Sequence, residues 1–127
     1  MTNTVEGKQA ALVELLYKRT TAKGVDWELN EARNPQAAIK GYKVALFSGK
    51  SSGSSVEYVR LYNEFGEEIE TFSDDNLADL TPPGFVHEDY YQKMQDLRKR
   101  AFRQASGADN AVDDLLSHLQ DDDDNDI

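Results

Sequence analysis

Leu12, Leu15, Leu16 and Arg19 follow the i, i+3, i+4, i+7 spacing of one helical face, and Val5, Val13 and Tyr17 widen its apolar stripe. This periodicity predicts a first helix. Asn3, with Glu6 three residues on, fits an N-cap and capping box. Lys18, Arg19 and Lys23 gather at the far end, where the macrodipole favours cations, and Gly24 is a natural stop. The period then changes to two. Val25, Trp27 and Leu29 alternate with Asp26, Glu28 and Asn30, which predicts a half-buried strand with Trp27 between sheet and helix. Asn34-Pro35 breaks the chain, residues 37–47 read as one strand, and the Ser/Gly-rich residues 48–55 read as a flexible connection.

Residues 56–63 and 67–72 form the clearest local pattern, a hairpin. If Glu64-Phe65-Gly66 is a three-residue loop, Leu61 faces Ile69, Arg60 faces Glu70 and Val59 faces Thr71. Residues 73–87, with Asp74-Asp75 and Pro82-Pro83-Gly84, read as irregular. A longer helix is expected over residues 88–105, because Tyr90, Met94, Leu97, Ala101 and Ala105 share one face. The expected fold is α+β: three or four antiparallel strands, an N-terminal helix and a longer C-terminal helix, all within residues 1–107. Val112, Leu115, Leu116 and Leu119 mark a short amphipathic helix over residues 108–119, and residues 120–127 are expected to be an acidic disordered tail.

Charge sharpens this division. The 127 residues carry a net charge of −10. Residues 1–80 hold nine basic and thirteen acidic side chains, residues 81–107 five and three, and residues 108–127 eight aspartates with no lysine or arginine. The acidity is a property of the tail, so a nucleic-acid mimic inferred from pI alone would mistake tail for surface. With no cysteine, disulfides, thiol catalysis and Cys-based zinc sites are excluded. The longest apolar runs, residues 10–13 and 44–47, are far short of a membrane span. The opening Met-Thr-Asn-Thr-Val-Glu lacks the basic and apolar regions of a signal peptide, so the expected compartment is the cytoplasm.

Three stretches resemble a group of small, uncharacterised bacterial α+β proteins. They are Leu15-Leu16-Tyr17 with Thr20, Gly24 and Trp27-Glu28; the hairpin running from Tyr58 to Gly66; and the basic helix of residues 97–105 followed by Gly107 and Leu115-Leu116. The resemblance implies an α+β fold and brings no activity, cofactor or site residue with it.

Candidate chemistry is sparse. Gly49-Lys50-Ser51 lacks the earlier glycine of a phosphate-binding loop, since that position is Val44, and a strand rather than a helix follows. His87 and His118 have no ligand partner at metal-binding spacing; Asp114 with His118 reads as a helix-surface pair. Asp121, Asp123 and Asn125 fit the start of a calcium loop, but Asp126 stands where glycine is required. Glu64, Glu67, Glu68 and Glu70 read as a solvated edge. No catalytic residue, cofactor or metal is therefore expected.

Two surfaces stand above this background. Tyr58, Arg60 and Tyr62 share one face of a strand and would suit an interface if left open; the strand pattern favours the plainer alternative, that the tyrosines pack under a helix with their hydroxyls at the rim. Arg98, Lys99, Arg100 and Arg103 could contact phosphates or an acidic partner, or balance the aspartates that follow them. The expected function is a non-enzymatic protein-interaction or regulatory module. A terminal helix too short to be stable alone would seat Val112, Leu115, Leu116 and Leu119 on its own domain, on a protein partner or on a second copy. Two alternatives remain: a nucleic-acid-associated protein using the basic helix end, and a small-molecule binder or enzyme with an unrecognised pocket.

Overall fold

Four tight turns, each with a left-handed backbone position, fold residues 28–73 into a meander. In the computed structural model, which describes residues 4–125 (side chains to 121), the strands are β1 (Glu28–Leu29), β2 (Pro35–Ile39), β3 (Tyr42–Ser51), β4 (Ser54–Tyr62) and β5 (Glu68–Ser73). They form one five-stranded antiparallel sheet in sequence order. The sheet is one strand larger than the upper expectation because residues 37–47 are split. Lys40 and Gly41, at φ 51° and 86°, make a two-residue hairpin between β2 and β3. Ser52 and Gly53, at φ 51° and 82°, make a second. Positive φ at both loop positions matches the right-handed twist of the flanking strands. Residues 48–55 are therefore mostly ladder rather than a flexible connection.

The outer turns share another design. Asn30 and Asn63 each precede a three-residue loop, whose last residue is left-handed: Arg33 at φ 63° and Gly66 at φ 81°. The Asn30 carboxamide oxygen accepts from the amides of Ala32 and Asn34, and that of Asn63 from the amides of Phe65 and Glu67. The asparagine side chain thus satisfies amides that the loop withdraws from the ladder.

The predicted loop 64–66 is present, but the register beyond it is corrected. Tyr62 pairs with Glu68, and a bulge then intervenes, so Leu61 pairs with Glu70, Arg60 with Thr71 and Val59 with Phe72. Arg60 does not face Glu70; its ion pair is with Glu68, Nε to Oε1 3.1 Å. The reason lies in side-chain alternation. Ile69 and Phe72 are an odd number of residues apart, so an unbroken strand would send them to opposite faces. The extra residue leaves Ile69 52% exposed and brings Phe72 beside Val59 in the core.

Three α-helices complete the described chain: α1 (Val5–Thr21), α2 (Tyr90–Ala105) and α3 (Ala108–Asn125), with a 3-10 turn at Asp74–Leu77. Thr4 caps α1, accepting from the Gly7 amide at 2.9 Å; Asn3, the expected cap, lies outside the described residues. The buried face of α1 carries Gln9, Val13, Leu16 and Thr20, while Val5 and Leu15 point outward, a rotation from the expected stripe. On α2, Tyr90, Met94, Leu97 and Ala101 are buried as the spacing requires. These faces pack on Ala37, Val44, Leu46, Val59 and Phe72, all from one side of the sheet. Trp27 is buried there, and its indole N–H donates to Thr20 Oγ1 at 3.0 Å.

Candidate interaction surface

At the end of α2 the Gly107 amide bonds the Gln104 carbonyl, and Gly107 itself, at φ 79°, turns the chain so that α3 begins at the next residue. Arg103 Nε donates to Asp109 Oδ1 at 2.7 Å and ties the first turn of α3 to α2. Beyond that tie α3 leaves the domain. Val112, Leu115, Leu116 and Leu119 are 45–60% exposed, so the chain's own domain does not cover the stripe. The helix also continues past the expected boundary at residue 119, through Gln120 and the following aspartates to Asn125. The expected disordered tail is thus helical to that point; Asp126 and Ile127 lie outside the described residues.

The basic end of α2 is largely engaged by the chain itself. Arg98 holds Glu57 through both carboxylate oxygens, at 2.6 and 3.1 Å. Arg100 Nε binds Asp96 Oδ1 at 2.9 Å, one turn earlier on the same helix, and Arg103 binds Asp109. Among the described residues only Lys99 of this group forms no ion pair. A phosphate at this cluster would have to share Arg98, Arg100 and Arg103 with those carboxylates.

Tyr58, Arg60 and Tyr62 stand together, half-buried, on the sheet face away from the core; the alternative that the tyrosines pack under a helix is corrected. Their neighbours explain the partial burial. Phe47 stacks on Tyr58 with centroids 4.9 Å apart, and the Arg60 guanidinium lies 4.5 Å above the Phe47 ring. Arg60 Nε also donates to Thr71 Oγ1 at 3.1 Å. The arginine is held flat against its own sheet, which leaves fewer of its donors for a partner.

A partly buried polar cluster between α1 and α2 has little signal in the sequence. Asp96 Oδ2 accepts from Tyr17 Oη at 2.8 Å and lies 2.9 Å from His87 Nε2, while Oδ1 takes Arg100. Burial raises the Asp96 pKa, but the hydrogen bonds from His87, Tyr17 and Arg100 outweigh it and hold the carboxyl below its ordinary value. The Tyr17 hydroxyl is pushed up, first by burial and then by Asp96. Alongside, Glu14 accepts from Tyr90 Oη at 2.9 Å and pairs with Lys93. A histidine against a carboxylate is the pairing of an oriented base. Here the carboxylate is shared with a tyrosine and an arginine, and the cluster bolts the irregular segment before α2 onto both helices. Only Asp96–Arg100, at i, i+4, had a local sequence signal.

Nearby, a groove of about 430 Å³ runs between α1 and Leu80–Thr81, floored by Gly7, Ala10 and Ala11. Two of its polar members, Glu14 and Tyr90, are bonded to each other. Among the described residues no group of three or more His, Cys, Asp or Glu side chains is placed to hold a metal, and no helix is long and apolar enough to cross a membrane. No family model matches the sequence, and no curated protein or solved structure matches it.

Proposed function

We propose that this chain is a non-enzymatic, cytoplasmic protein-interaction module whose contact element is α3. The supporting observation is the exposure of Val112, Leu115, Leu116 and Leu119, aligned on a helix that its own domain leaves uncovered. Covering the stripe would stabilise a complex by roughly 1.5–3 kcal/mol per side chain before ordering costs are subtracted. The sheet and the other two helices act as the platform, and Gly107 with the Arg103–Asp109 pair sets where the helix departs. The self-contained pairing of Arg98, Arg100 and Arg103 favours this reading over nucleic-acid binding.

The test replaces Leu115 and Leu116 together by Asp. Because both are exposed, the melting temperature should stay the same. Crosslinking in the source cell should then lose a partner that the unaltered chain retains. If crosslinked species, oligomeric state and melting temperature are all the same for both chains, α3 is a passive tail and the reading falls.

A further inference from the structure

We infer that the surface receiving α3 is a groove on another protein with an apolar floor and walls of lysine and arginine. This rests on the interaction reading above and specifies the partner's chemistry. Three observations lead to it.

The stripe is narrow. Val112, Leu115, Leu116 and Leu119 sit at i, i+3, i+4 and i+7, an arc of about 100° over two turns. A stable interface buries about 800 Å² on each partner. Four side chains meeting a flat surface fall short of that, whereas a groove also takes the flanks of the helix. The flank beside Leu116 is acidic: Asp113 lies next to Leu116 on the helix surface, and Asp109, which also holds Arg103, one turn before it.

The charge has one sign. Residues 108–127 contain eight aspartates and no lysine or arginine. Seating α3 against a second α3 would set two such segments side by side. At the basic end of α2 a second copy offers only Lys99 outside an ion pair, since Arg98, Arg100 and Arg103 are each engaged with a carboxylate.

The helix end is inverted with respect to its dipole. Residues 121–124 are all aspartate and fall in the closing turns of α3, where the macrodipole favours cations. Lysines and arginines along the groove would relieve both the clustered charge and the helix pole, while the apolar floor covers the stripe. Recognition by this route weakens with salt and needs the leucines as well.

The experiment titrates the full chain with two labelled helical-hairpin peptides, each with a groove between its two helices. They share leucines at i, i+3, i+4 and i+7, and carry either lysine or glutamate at the remaining positions. The lysine peptide should bind, weaken as salt rises, and bind at least about tenfold less tightly to L115D/L116D. The glutamate peptide should not bind. The double change makes the chain more negative, so binding by charge alone would tighten instead, and that result overturns the inference. Equal binding of both peptides overturns it too, as does a dimer of the unaltered chain that L115D/L116D dissociates. In the last two outcomes α3 remains an interaction element, so the proposed function stands while its basic partner falls.

Discussion

Arg98 on α2 and Glu57 on β4 form a two-point ion pair at 2.6 and 3.1 Å, and Glu57 is only 2% exposed. Glu57 shares the alternation of Val59 and Leu61, so it is an acidic residue on the core side of the sheet. Removing the arginine would strand a buried carboxylate, at a cost of about 3–5 kcal/mol. Arg98→Ala is therefore expected to lower the urea midpoint sharply. Adding Glu57→Gln should recover much of the loss. Equal midpoints for the unaltered chain and Arg98→Ala would refute the buried pair.

The bulge in β5 separates two residues that composition treats alike. Ile69 lies outside the paired positions and Phe72 is in the core. Ile69→Asp should change stability by no more than about 0.5 kcal/mol. Phe72→Ala should cost about 3–5 kcal/mol. An Ile69→Asp chain as unstable as Phe72→Ala would restore the unbulged register, with Ile69 opposite Leu61.

Trp27 reports on the seam between α1 and the sheet. Its emission should be blue-shifted from that of water-exposed indole. Thr20→Val keeps the volume but removes the acceptor of the buried indole N–H, which costs about 1–3 kcal/mol. The emission should remain blue-shifted while the urea midpoint falls. A red emission from the folded chain would place the indole in water.

Asp96 makes the fold sensitive to acid. Its folded pKa lies below the ordinary carboxyl value of 3.8, so the stabilisation is present above that value and is lost as pH falls through the folded one. Asp96→Asn should be destabilised at neutral pH. The gap between the two chains should narrow on acidification, as the unaltered carboxyl takes up its proton. A gap that is constant from neutral to strongly acidic pH would show that Asp96 is not held ionised by its partners.

Much of this was legible in the sequence. The face of α2, the stripe of α3, the loop 64–66 and the burial of Trp27 were read directly. Each depends on neighbours within a turn of helix or two strand positions, where spacing and residue type act locally. The Lys40-Gly41 and Ser52-Gly53 hairpins were local too, but a Gly preceded by Lys or Ser is a weaker cue than Asn-Gly.

What only the tertiary structure decided is set by distant pairing. Arg98 and Glu57 are 41 residues apart, and Tyr17 and Asp96 are 79 apart. The sequence determined that the last helix has an apolar face and an acidic one. The tertiary arrangement decided that the domain leaves that apolar face uncovered, and that the arginines before it are already engaged. It also decided the side of the sheet that Phe72 joins. A one-residue bulge reverses that outcome, because side chains alternate across a strand and the core lies on one face only.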